Sequence, residues 1–302
     1  YFEKRKELVG AQVIVANHDL LLSSLGTRLL PELDNCLLVL DEAHHLPTVA
    51  LNHFACSMDL SRTGWVDVLA SRARRIGSLV QVSEANDLPR LAAQIRQTLQ
   101  DVSRLVMDSY GQVMQEPGAT QRGPARVRLP RGELPEALDE PLRLVSVTAE
   151  TFLDALRAVA KELRAQMRDN PDEARRLSTL YAQIGMLSPR LEEVHACVQL
   201  LLREAEADSD ASTGGVARVP TVPVAKWFTF EVGSGMDDGL VVIKAHASPI
   251  LPGSTLRSKL WSSVRAAVVT SATLTSCGRF DFFMRESGLH ADSAATTLEV
   301  AS

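Results

Sequence analysis

The hydrophobic period changes twice along this chain. Near the start, short apolar runs alternate with polar breaks. Gln12–Ala16 predicts a strand, Asn17–Ser24 a helix, Leu37–Leu40 a second strand and Glu42–Cys56 a helix. The run Leu37-Leu-Val-Leu40 is too apolar for a half-exposed strand and too short for a helix, so it reads as a strand buried on both faces of a parallel sheet. From about Ser57 to Val219 the spacing becomes helical. Leu91, Ile95, Leu99, Val102 and Leu105 form one stripe, and Val145, Phe152, Leu156, Val159 and Leu163 another; both are core positions with no chemistry assigned. Ser188 before Pro189 has the form of an N-cap with proline at the first helical position, which predicts a break or kink in the helix entering from Glu173. The strand pattern then returns: Val224–Glu231, Leu240–Ala245, a helix over Thr255–Ser263, and a strand over Ala266–Thr270.

Two strand ends carry the candidate chemistry. Leu37–Leu40 runs into Asp41-Glu-Ala-His-His45, so two carboxylates emerge at a strand's carboxyl end, where open α/β sheets bind ligands. Mg²⁺ prefers hard oxygen ligands and keeps several waters. Asp41 could therefore hold it through the water shell while Glu42 polarises the attacking water, with His44 beside the phosphates. Acidic residues are also favoured in a helix's first turn. What lifts the pair above that is its company: His44, the apolar strand before it, and a second apolar strand, Ala266–Thr270, that empties into Ser271-Ala-Thr273. Ser271 and Thr273 could hydrogen-bond a neighbouring loop and move with it. If both ends meet at one nucleotide, the helical block of about 160 residues between them must be an insertion into a single α/β domain.

Composition bounds this reading. The 302 residues are 45% hydrophobic and 23% charged, enough for a core and about two domains. Lys plus Arg number 32 against 37 Asp plus Glu, a net charge of −5, so any nucleic-acid contact would need a local basic track. No run of about 18 uncharged apolar residues occurs and no leader-like segment is visible, which gives the expectation of a cytoplasmic chain without a membrane partner. Cys36, Cys56, Cys197 and Cys277 are far apart with no Cys-x-x-Cys, and read as reduced thiols rather than zinc or cluster ligands.

Nucleic-acid candidates are fewer. Asn17 and His18 follow the first predicted strand and could contact a backbone, although Asn17 is equally suited to cap the next helix. Lys226 and Trp227 put a cation beside an indole; on a regular strand they point to opposite faces, with Trp227 the more suited to burial. Arg122, Arg126, Arg128 and Arg131 lie in a Pro/Gly-interrupted loop that either touches phosphates or is a solvated surface.

Val13–Leu22, Asp41–Pro47, Gly132-Glu-Leu-Pro135, Pro223-Val-Ala-Lys-Trp227 and Val269–Leu274 occur in the order and approximate spacing of the bacterial DinG helicases, relatives of XPD. The chain resembles that family nearly end to end. Asp-Glu-Ala-His and Ser-Ala-Thr then correspond to motifs II and III of superfamily 2 helicases. The resemblance implies a fold class of α/β, with a partial RecA-like parallel-sheet motor domain carrying a large all-helical, arch-like insertion. It divides the chain into residues 1–57 of the first motor domain, an insertion over 58–222, a return over 223–275 and the start of a second motor domain over 276–302. It also implies a monomeric motor that couples Mg²⁺ and ATP hydrolysis to 5′-to-3′ movement on single-stranded DNA and unwinding at duplex junctions, in repair or replication. Asp41, Glu42 and His44 would serve the nucleotide, and His44, Ser271 and Thr273 the coupling. A 4Fe-4S cluster and a Gly-x-x-x-x-Gly-Lys-Thr loop are expected upstream of Tyr1 in a longer parent; neither motif occurs here, and Gly214-Gly215 and Gly233-Ser-Gly235 read as turns. These 302 residues are thus expected to be a fragment that is inactive alone. Two other classes stay open: a metal-dependent hydrolase using Asp41, Glu42, His44 and His45, and a non-catalytic helical binding module.

Overall fold

A computed structural model describes residues 8, 11–27, 30, 33–115, 123–170, 172–203, 223–232, 241–290 and 295–298. The chain divides into two compact units. One comprises residues 1–55, 215–223 and 248–302, and the other residues 56–214 and 224–247.

The first unit contains helices α1 (His18–Thr27) and α2 (Leu46–Phe54), strand β1 (Leu37–Leu40), and later α7 (Gly253–Lys259), β6 (Ala266–Val269) and α8 (Asp281–Ser287). Strands β1 and β6 pair in parallel, Leu37 opposite Ala266 through Leu40 opposite Val269, although more than 200 residues separate them in sequence. A parallel pair always needs a crossover, and here the crossover contains the other unit. Leu21, Leu22, Leu40, Leu46, Leu256 and Leu260 form the core, closed by Phe54 and Phe283. Gly253 and Gly288 let α7 and the end of α8 touch backbone to backbone; a Cβ on either would overlap the other's main chain.

This sheet corrects two expectations. Leu37 and Val39 are 65% and 59% exposed while Leu40 is buried, so β1 is covered on one face only among the described residues. The core elements α1, α2, α7 and α8 cover the face that Leu40 points to. Gln12–Ala16 is not a strand: Val13 and Val15 are exposed and no ladder partner among the described residues meets them. A β-favourable run becomes a strand only where a neighbour takes its backbone hydrogen bonds.

The second unit is built on four long helices, α3 (Trp65–Leu79), α4 (Leu88–Tyr110), α5 (Glu136–Asp169) and α6 (Ala174–Leu202). The predicted stripes are its core: Ile95, Leu99, Phe152, Val159 and Leu163 are fully buried. Helix α6 passes through Pro189 instead of breaking there. A proline inside a helix costs about 3 kcal/mol. The buried stripe Ile184, Leu191, Val194 and Val198 on both sides of it holds the helix together.

The unit is not all helix. Strands β2 (Cys56–Asp59), β3 (Ala125–Arg128), β4 (Val224–Val232) and β5 (Val241–Pro249) form one sheet in the order β2-β5-β4-β3, antiparallel between β2 and β5 and between β3 and β4. Cys56, expected to end a helix, opens β2, and the arginine-rich loop contains β3. The described residues 224–232 and 241–247, expected with the α/β part, pack with the helices. Phe228 and Phe230 of β4 are buried in the helical core, and Tyr110 of α4 stacks on Phe228. Arg122, Gly214, Gly215, Gly233–Gly235 and Tyr1–Glu7 lie outside the described residues.

Candidate functional site at the end of the parallel strands

Beyond Leu40 the chain turns sharply. Glu42 has φ 48° and ψ 40°, a left-handed conformation that costs a non-glycine residue about 1–2 kcal/mol. The expected helix therefore does not start at Glu42. Ala43–His45 form a 3₁₀ turn and α2 begins at Leu46 with Pro47 in its first turn. The turn is held from three sides. The Asp41 Oδ1 accepts the Glu42 N–H at 2.9 Å, the Ala43 N–H donates to the Thr270 carbonyl at 3.0 Å, and the Thr270 N–H donates to the Leu40 carbonyl at 2.8 Å. The last two extend the parallel ladder past both strands and tie the loops after β1 and β6 together.

That stitching brings the predicted residues into one cluster. The Ser271 Oγ–H donates to Glu42 Oε2 at 3.2 Å, while the same oxygen lies 2.7 Å from His44 Nδ1 and accepts the Thr273 N–H at 3.3 Å. His44 Nδ1 is also 3.2 Å from Glu42 Oε2. Since the serine proton points to Glu42, the arrangement is satisfied when His44 carries its proton on Nδ1 and donates it to Ser271. The ring of His45 stands 3.8 Å from that of His44. Thr273 joins through its backbone; its hydroxyl is exposed.

Asp41 is exposed and uses only Oδ1 on the backbone among the described residues. One hard, accessible carboxylate oxygen at a strand end fits a Mg²⁺ ion that keeps most of its waters. Among the described residues no three His, Cys, Asp or Glu side chains converge as metal ligands would, and no helix is long and apolar enough to cross a membrane.

The nucleic-acid candidates fall elsewhere. Asn17 caps α1, its Oδ1 accepting the Leu20 N–H at 2.8 Å, and His18 opens that helix half-buried. Lys226 and Trp227 do point to opposite faces of β4, but with the reverse burial to that expected. Lys226 is 4% exposed, and its Nζ donates to the Arg203 carbonyl at the end of α6 at 2.7 Å. Burial lowers its pKa. Trp227 is the half-exposed one, stacked on His246 with ring centres 5.1 Å apart and planes 1° from parallel. The sequence pattern missed His246 because nothing local pairs it with Trp227. Among the described residues no cysteine forms a disulfide, and burial raises the Cys197 thiol's pKa well above its ordinary value.

No family model matches the chain. Known proteins do. The ATP-dependent DNA helicase DinG of Photobacterium profundum is 26% identical over 306 residues, covering 100% of this chain and 41% of the relative. This chain is similar to the DinG helicases. DinG proteins of Salmonella paratyphi A and Escherichia coli K12 are 28% and 27% identical over 96% of the chain and 38% of their own length. The chain thus spans about two fifths of the DinG proteins it matches. That continuous coverage includes both strand ends as well as the helical unit between them.

Proposed function

We propose that this chain supplies part of an ATP-driven DNA helicase motor, and that the cluster at the ends of β1 and β6 serves the nucleotide. The observation that carries the proposal is Ser271, whose one hydroxyl joins Glu42 and His44 across the two strands. Asp41 would hold Mg²⁺ through its water shell, where the ion would neutralise charge developing on the phosphates. Glu42 orients the attacking water and accepts its proton. The left-handed turn aims the Glu42 carboxylate across the strand ends rather than along α2. His44 and Ser271 carry the state of the site from one loop to the other, because a change in what Glu42 contacts alters the partner available to the serine proton. Thr273 follows through the bond from its N–H to Ser271. On this reading the whole protein moves 5′ to 3′ on single-stranded DNA and opens duplex junctions.

The test is Glu42→Gln in the full-length protein. The amide keeps the shape but cannot take the proton, so ATP binding stays while turnover falls by about 10²- to 10⁴-fold, and unwinding stops with it. ATPase activity within a few-fold of the parent would remove Glu42 from this role.

A further inference from the structure

One face of the four-stranded sheet packs on the helices; the other bears Arg126 and Arg128 of β3, Trp227 and Thr229 of β4, and Lys244 and His246 of β5. The pairing registers set this composition. Arg128 lies opposite Trp227, and Arg126 opposite Thr229. On the β2 side, His246 lies opposite Ser57 and Lys244 opposite Asp59. Trp227 stands between its two neighbouring strands, with His246 stacked on one side and the Arg126 guanidinium 5.9 Å from the ring centre on the other. Thr229 Oγ1 and His246 Nε2 are 2.8 Å apart, which fixes the imidazole under the indole.

A solvent-facing sheet surface is ordinarily polar, and polarity alone assigns nothing. This one differs in two respects. A tryptophan–histidine stack is held on it, and its three cations have no carboxylate partner among the described residues, in a chain whose net charge is −5. Of the acidic groups on the face, Asp59 is engaged by the Ser61 and Arg62 N–H groups at 2.9 Å each, and Glu231 lies near the far end of β4. The local field is positive enough to be felt by the ring. Burial first, then the charges of Lys244 and Arg126, push the His246 pKa down to about 4, so the stack is neutral at neutral pH.

We propose that this face binds single-stranded nucleic acid, a base stacking on Trp227 in place of the Arg126 guanidinium while Arg126, Arg128 and Lys244 take the phosphates. The exchange is favourable in kind. An exposed cation near the outer limit of ring contact holds its place weakly, whereas base stacking is a large and sequence-tolerant term. The displaced guanidinium gains a phosphate partner with which it can form paired hydrogen bonds. Duplex would be rejected because its bases are already stacked.

The experiment measures binding of a fluorescein-labelled oligothymidylate of about 20 nucleotides to the 302-residue chain by anisotropy, without nucleotide or Mg²⁺, over a range of salt. Leaving ATP and Mg²⁺ out keeps the result separate from the nucleotide site, so failure here leaves that reading standing. Trp227→Ala should weaken binding about 5- to 150-fold and Trp227→Phe much less. Arg126→Gln and Arg128→Gln should each reduce the steepness of log K against log salt by about 0.7. An abasic strand of equal length should bind as weakly to the parent as oligothymidylate does to Trp227→Ala. Equal binding of abasic and thymidine strands, equal competition by polyglutamate, or unchanged binding by the three variants with an unchanged thermal midpoint would each overturn the proposal.

Discussion

The parallel pair β1–β6 and the sheet β2-β5-β4-β3 deploy their polar residues in opposite ways. In the parallel pair the strands themselves are apolar, and the chemistry begins just past their ends, one residue on at Asp41 and two residues on at Ser271. In the other sheet the polar side chains lie on the strands, alternating with buried ones, so that Trp227 and Lys226 serve different faces. A cluster beyond strand ends is assembled by backbone, through the Ala43–Thr270 and Thr270–Leu40 hydrogen bonds. A cluster on a sheet face is assembled by register alone. The first tolerates changes along its strands but depends on the turn at Glu42; the second tolerates changes at its ends but not a slip by one residue.

The largest effect expected concerns what the strand-end cluster can do by itself. These 302 residues contain no Gly-x-x-x-x-Gly-Lys-Ser/Thr segment. Backbone N–H groups that cradle phosphates are a main source of nucleotide binding in such motors. With saturating Mg-ATP and single-stranded DNA, the isolated chain should release phosphate no faster than its Glu42→Gln variant. Turnover above that control would mean that the cluster is a more complete site than its residues suggest.

Stability should separate the two regions next. Phe152 is fully buried at the centre of the helical core, and Phe152→Ala should cost about 3–5 kcal/mol in urea unfolding. Val39, on the strand that leads to Asp41, is 59% exposed. Val39→Ala should change stability by about 0.5 kcal/mol or less. Comparable losses from the two would show that the outer face of β1 is covered.

How much of this was legible follows the same division. Leu99, Phe152 and Leu163 announce a buried helix because their spacing is a local property, and Asp41 and Ser271 announce a site because each ends an apolar strand. The exposure of Val39 and the non-strand at Val13–Val15 could not be read, since both depend on which neighbours are present. The membership of β4 and β5 was hidden for a related reason. Cys56 meets Ala247 across nearly the whole helical unit, and no pattern within either segment specifies the other. Glu42 is a different case: its left-handed turn runs against residue preference and is imposed by the loop–loop hydrogen bonds.

A smaller effect bears on coupling. Ser271→Ala with Thr273→Ala removes the hydroxyl between His44 and Glu42 while leaving both of the latter in place. In the full-length protein ATP binding should be kept, and unwinding should fall more than hydrolysis, by a coupling factor of about 5–150. Parallel loss of both activities, or of the folded state by circular dichroism, would make the cluster a structural tie.

The smallest effect decides between the two uses open to Asn17. Its side chain accepts the Leu20 N–H, one of the donors that a helix's first turn leaves without a partner, and Asn17→Ala should therefore cost about 1 kcal/mol. That loss alone says nothing about DNA. Asn17→Asp keeps an acceptor in the same position and adds a negative charge, which the N-terminus of α1 favours. The charge would oppose a phosphate brought to the same edge. If capping is the only role, Asn17→Asp should match the parent in both urea midpoint and oligothymidylate affinity. If Asn17 also meets the DNA backbone, its stability should be kept while affinity falls, most clearly at low salt, where the charge is least screened.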